Sequence, residues 1–178
     1  MGIEAGDYNP GTMPLHSPLH CVLDTNVVLD LFHFADPVAL PLLDALETGS
    51  IVCWSDEETL AELERVLTYP ELKVSAAVAA SILTRYRDLT RHAKAGSVPA
   101  LPRCQDPDDQ KFLELAARTG GSLLISKDKA LLALAGKPGL PFQILAPAAA
   151  VVRVTQTPTS TPSPGRWHRC TPSFRPDQ

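Results

Sequence analysis

Carboxylates are the side chains of this sequence best placed to do chemistry. Asp24 ends a short apolar run, Cys21-Val22-Leu23, and Asp128 lies three residues past Ile125, the end of another such run. A third group, Asp106-Pro107-Asp108-Asp109, opens a helical pattern after a loop. Ligands of open parallel sheets gather outside the carboxyl ends of the strands, so these acids are able to meet at one sheet edge. No CxxC spacing accompanies them in sequence. An all-oxygen donor set suits a hard cation such as magnesium or manganese better than zinc. Each acid also has a plainer role open to it. Asp24 and Asp128 precede helical patterns and could serve as N-caps, and acids in a first helical turn complement the dipole. Glu57, Glu58, Glu62 and Glu64 could form a solvated face, with Arg65 within pairing distance of Glu62 along one helix.

The elements that must position these acids alternate in kind. Apolar strand patterns end at Leu23, Trp54, Ile125 and Leu145. Between them run helical patterns: a short one from about Val27, one offered a start by Asp36-Pro37 and a stop by Thr48-Gly49, and one opened by a Ser55-x-x-Glu58 capping box. Ser75 caps the next, with Val78, Ile82, Leu83, Tyr86 and Leu89 at helical spacing. Residues 95–105 read as a loop, Asp106-Pro107 starts a further helix, and Gly120-Gly121 ends it. The stretch from Lys129 to Ala135 reads as a last helix, closed by Gly136. Apolar strands separated by helices imply an α/β fold, a parallel sheet covered on both faces.

The chain has 178 residues, 44% of them hydrophobic, enough for one domain with a core that needs no disulfide or structural metal. Aromatics make up only 6%, so Leu, Val and Ala must fill that core. Residues 1–18 read as a disordered leader and 19–154 as the folded domain. Residues 155–178 are rich in Pro, Ser and Thr and read as a disordered tail. The start lacks the basic and apolar segments of a signal peptide, and no apolar run approaches the ~20 residues of a spanning helix. Cys21, Cys53, Cys104 and Cys170 stand far apart and read as reduced residues of a cytoplasmic protein. The formal net charge of −4 argues against a promiscuous coater of DNA, though not against a local basic groove beside an acidic site.

Taken in order, these segments resemble the PIN domain. Asp24-Thr25-Asn26-Val27 is similar to the family's opening signature, and Ala61-Glu62-Leu63 to its second acidic position. The run from Asp106 to Leu113, DPDDQKFL, resembles the third motif in the bacterial branch of toxin–antitoxin toxins. Leu124-Ile125-Ser126-Lys127-Asp128 resembles the closing motif, and Ile144-Leu145-Ala146-Pro147 the final strand and its ending. The resemblance covers about residues 20–150. It implies four catalytic, metal-binding carboxylates, Asp24, Glu62, Asp109 and Asp128, with Asp106 as an alternate or supporting ligand. It places Ser126 at a small hydroxyl position that orients Asp128 or a phosphate, and Asn26 where a hydrogen bond can position Asp24. Gln110 and Lys127 depart from residues common in that branch, and neither removes a ligand.

What the resemblance implies is hydrolysis of RNA phosphodiesters with Mg2+ or Mn2+, leaving a 5′-phosphate and a 3′-hydroxyl. Partners implied are RNA, a cognate antitoxin and a possible second copy of the chain; no membrane is implied. Arg85, Arg91, Arg103 and Lys127 are candidate phosphate contacts, each with a solvated face as its alternative. Arg166-Trp167-His168-Arg169 in the tail offers a further stacking and basic segment. A dehalogenase-type phosphatase wants a second Asp two residues after the first, where this chain has Asn26; a phospho-acceptor receiver wants paired acids there, where it has Thr25-Asn26. The alternative outside enzymes is a catalytically silent PIN fold that binds RNA or protein. It expects one or more of the four acids to be missing, and all four positions are filled.

Overall fold

A computed structural model describes residues 18–156. The readings of the leader before residue 18 and of the tail beyond 156, with Arg166–Arg169 and Cys170, lie outside the described residues. Five parallel strands form one sheet in the order β3-β2-β1-β4-β5. They are β1 (Leu19–Leu23), β2 (Ile51–Ser55), β3 (Thr90–His92), β4 (Leu123–Ile125) and β5 (Gln143–Leu145). Among the described residues seven α-helices accompany them: α1 (Thr25–Leu29), α2 (Leu40–Glu47), α3 (Glu57–Leu67), α4 (Ala76–Leu89), α5 (Gln110–Arg118), α6 (Lys129–Leu132) and α7 (Pro147–Thr155).

The sheet is buried on both faces, as parallel strands with helical crossovers require. Cys21, Leu23, Ile51, Cys53, Leu123 and Ile125 share one core with residues of α1, α2, α3, α4 and α7. Val22, Leu124 and Ile144 share the other with Phe112, Leu113, Leu115 and Ala116 of α5 and Leu131 of α6. Successive strand residues thus point to opposite layers, which is why the strands read as continuous apolar runs rather than as alternating ones. Cys21 and Cys53 are opposite each other in the β1–β2 ladder, and both thiols are free and buried.

Strand order reverses at β1. The chain moves from β1 outward to β2 and β3, then returns to the far side of β1 for β4 and β5. The loops leaving β1 and β4 therefore part in opposite directions, and the crevice between them is where an open α/β sheet receives a ligand.

Several local expectations change. β3 was hidden in what read as a helix exit: Thr90-Arg91-His92 carries no apolar residue, and an edge strand can be polar because one side faces solvent. The capping box at α3 is shifted by one residue, with Asp56 as cap. Its side chain accepts from Thr59 N at 2.9 Å while the Thr59 hydroxyl accepts from Asp56 N at 3.0 Å. Ser55 instead finishes β2 and hydrogen bonds Thr90 across the sheet at 2.8 Å. Asp36 caps a turn through Val38 N, and α2 begins only at Leu40. Helix α1 starts directly at Thr25 with Asp24 as its cap, and passes into a π-helical turn, Asp30–Phe34. Pro147, read only as the end of the last strand, opens α7.

Candidate active site

The crevice between β1 and β4 gathers the acids. Asp24 follows β1 and is 2% exposed. Its backbone N–H donates to Ile125 O at 3.0 Å, which fixes the end of β1 against β4. One carboxylate oxygen accepts from Ser126 Oγ at 2.6 Å, the other from Asn26 N at 3.4 Å. Ser126 is fully buried and its Oγ also accepts from Asp128 N at 2.9 Å. A single hydroxyl therefore ties the Asp24 side chain to the backbone that carries Asp128. Asp128 caps α6, with Oδ1 accepting from Ala130 N at 2.6 Å and Leu131 N at 3.2 Å.

Glu62 comes from the middle of α3. Its Oε1 accepts from Thr25 Oγ1 at 3.0 Å, and its Oε2 forms an ion pair with the Lys111 ammonium. Arg65, the expected helical partner of Glu62, turns instead to Tyr69 and lies over its ring. Asp109 ends the 3-10 turn Pro107–Asp109 that leads into α5. Asp106 is exposed and caps that turn through Asp108 N at 2.9 Å. Gln110 Oε1 accepts from Cys104 N at 2.8 Å and so pins the preceding loop to the start of α5.

The acids feel one another. Burial pushes the Asp109 carboxyl up to about 7, and the charges of Asp24, Asp128, Asp106 and Glu62 add to the shift. Burial likewise raises Asp24, helped by Glu62 and Asp128 and opposed by the hydrogen bonds from Ser126 and Asn26 N. Negative neighbours thus oppose the ionisation of Asp24 and Asp109. Among the described residues, no three His, Cys, Asp or Glu side chains already converge at the spacing that would hold a metal ion. The donor set nonetheless fits a hard divalent ion in kind: it is all oxygen, contributed by β1, α3, the turn before α5 and the loop after β4, and rich in negative charge.

The supporting residues fall differently from the expectations. Asn26 helps Asp24 through its backbone N–H, and its side chain is exposed rather than buried. Ser126 holds Asp24 directly as well as the Asp128 backbone. The Lys127 ammonium pairs with the buried Asp30 at 2.6 Å. Arg85 pairs with Glu47 at 2.5 Å and lies over the Phe32 ring. Arg91 is on the edge strand β3, two strands away from β1. Arg103 lines a groove with Leu101, Cys104, Pro107 and Glu114 beside the loop that precedes Asp109. The acids thus lie within electrostatic reach of one another, while the candidate phosphate contacts scatter.

Three residues escaped the sequence reading. Thr25 orients Glu62, Lys111 pairs with it, and Asp30 receives Lys127. Thr25 and Lys111 lay inside the recognised segments, but a threonine after a strand and a lysine in a first helical turn carry no signal of their partners. Asp30 would have shown itself only as an acid inside an otherwise apolar stretch, Val27 to Phe32.

Among the described residues, no helix is long and apolar enough to cross a membrane. A family model described as the PIN domain matches residues 20–130. No curated protein matches the chain. Among solved structures, the chain is similar to PAE2754 from Pyrobaculum aerophilum, with 14% identity and a TM-score of 0.49 over 79% of this chain and 97% of that one.

Proposed function

Since the chain belongs to the PIN-domain family, whose members are generally nucleases, we propose that it is a metal-dependent endoribonuclease with Asp24, Glu62, Asp109 and Asp128 as its catalytic carboxylates. The observation that carries this reading is that carboxylates borne on four separate elements lie within electrostatic reach of one another where strand order reverses.

In this reading the four carboxylates hold Mg2+ or Mn2+, with Asp106 as a supporting acid. When bound, such an ion polarises the scissile phosphate and makes water a better nucleophile. The chain's own residues prepare the place. Ser126 holds Asp24 and the Asp128 backbone in fixed relation, Thr25 aims Glu62, and Gln110 anchors the loop before Asp109. The raised pKa of Asp109 keeps a proton available near neutral pH while the site has no cation.

RNA is the substrate we assign, because the motif around Asp106–Leu113 resembles the toxin branch. The same resemblance supports a role as the toxin of a bacterial pair, restrained by an antitoxin and able to act as a homodimer in the cytoplasm. Arg103, on the groove beside the loop that precedes Asp109, is the cation we assign to an RNA phosphate; Arg85 and Lys127 are already paired within the chain. A second reading, a silent module that binds RNA or protein, is favoured by one observation: Glu62 already has an internal cation, Lys111.

Cleavage of a panel of structured and single-stranded RNAs by wild type and Asp24→Asn, with Mg2+, Mn2+ or EDTA, separates the two. Metal-dependent cutting that vanishes in the variant supports the nuclease. Folded, RNA-binding protein that cuts in no condition supports the silent module. Growth arrest on induction of wild type but not of Asp24→Asn is the outcome expected of a toxin.

A further inference from the structure

Lys111 stands in a place that local physics does not favour. It is the second residue of α5, where the helix dipole disfavours a cation. Its side chain is only 19% exposed, and that of its partner Glu62 only 13%. The ammonium also lies 5.6 Å from the centre of the Phe112 ring, which is itself buried. Attraction to the acids offsets the dipole and the loss of hydration. With Thr25 on Oε1 and Lys111 on Oε2, both carboxylate oxygens of Glu62 are engaged within the protein.

We propose that Lys111 is an internal counter-cation that competes with the divalent ion for Glu62. The inference rests on the metal-dependent reading above and adds to it a residue that sets how tightly the ion is held. Glu62 Oε2 has to leave the ammonium before it can serve a metal. Thr25 keeps the carboxylate aimed at the crevice throughout, so the exchange replaces one cation by another without moving α3. A lysine suits this task because its charge is a compact point on a flexible stem with three equivalent donors, easily withdrawn. An arginine would grip the carboxylate with two parallel hydrogen bonds and give it up less readily.

The test uses the full chain and measures Mn2+ binding by titration calorimetry, together with thermal stability in EDTA. Lys111→Met keeps the apolar stem over Phe112 and removes the charge; Lys111→Gln does the same with a polar end. Both variants are expected to bind Mn2+ about fivefold tighter than wild type, the size expected for release of a partly exposed ion pair. Both should be less stable than wild type in EDTA and recover that loss in Mn2+. Lys111→Arg is expected to bind Mn2+ more weakly than wild type. A merely structural lysine would lower stability without tightening the metal, so unchanged or weaker Mn2+ affinity in Met and Gln overturns the proposal while the metal-dependent reading stands. Failure of wild type and both variants to bind Mn2+ at all overturns both together.

Discussion

Asp24 and Asp56 occupy matching places in neighbouring strands. Each directly follows its strand, each caps the helix that comes next, and each is buried, at 2% and 8% exposure. Their surroundings differ. Asp56 accepts from Thr59 and pairs with the Arg118 guanidinium at 2.5 Å, so its charge is matched within the protein. Asp24 has a serine and a backbone N–H as donors, and its charged neighbours are other acids, Glu62 and Asp128. The strand order explains the divergence. Asp24 lies at the reversal, where the β4 loop brings Ser126 and Asp128 beside it, whereas Asp56 lies one strand outward, where Arg118 of α5 reaches it. The same local grammar therefore yields an acid matched by a cation at one strand end and an acid among other acids at the next.

Substitution can break this comparison, most sharply at Asp24 itself. Asp24→Asn should lower RNA cleavage by about 10³-fold, the scale of losing a metal-borne stabilisation of several kcal/mol. Its stability in EDTA should hold or rise, because an acid with unfavourable neighbours has been neutralised. Steady-state kinetics beside denaturant melts checks both halves. A variant that loses stability while cleaving at the wild-type rate per folded molecule would make Asp24 a structural acid like Asp56.

Asp56→Ala should do the reverse. It removes a capping box and leaves the Arg118 charge half-buried without its partner, at a cost of about 2–4 kcal/mol. Cleavage per folded molecule should stay at the wild-type level. Urea midpoints and active-site-normalised rates report these separately.

Ser126→Ala sharpens the comparison from the other side. It removes the donor that holds Asp24 and the acceptor for Asp128 N, and losing such a support lowers metal affinity or activity by about 10–100-fold. The Ser126 hydrogen bond also opposes the rise in the Asp24 pKa, so the acidic limb of the pH–rate profile should move to higher pH. An unchanged limb would show that the profile reports another group.

The last effect concerns pH and stability. Asp109 has its folded pKa raised to about 7 from an ordinary value of 3.8. Between those values the folded state keeps a proton that the unfolded state has released. The contribution of this residue is therefore fully present below 3.8, falls as pH rises, and levels off above 7. In EDTA, Asp109→Asn should flatten that decline relative to wild type, as read from denaturant midpoints between pH 4 and 8. A saturating divalent ion should flatten it in wild type as well, since the ion favours the ionised acid.

The α/β class, the four apolar strands and the helix-opening role of the Asp106 segment were legible in the chain, because apolar runs and caps are local signals. So was the list of candidate acids, since each sits in a recognisable segment. Strand β3 was not legible, because a three-residue polar edge strand is specified by the neighbour it pairs with. The capping box at α3 was read one residue early for a similar reason. Ser55 and Asp56 are both good caps, and only the pairing of Ser55 with Thr90 commits it to the sheet.

The sequence by itself determined the apolar strands, the principal helices and the carboxylates near their junctions, for those choices depend on side-chain patterns a few residues long. Only the tertiary structure decided that Asp24 faces other acids while Asp56 faces Arg118. It alone set Lys111 against Glu62, across 49 residues of chain. It also turned Lys127 toward Asp30. Charge partners across a sheet edge follow from strand order and helix packing, and Coulomb forces act through space without regard to distance along the chain.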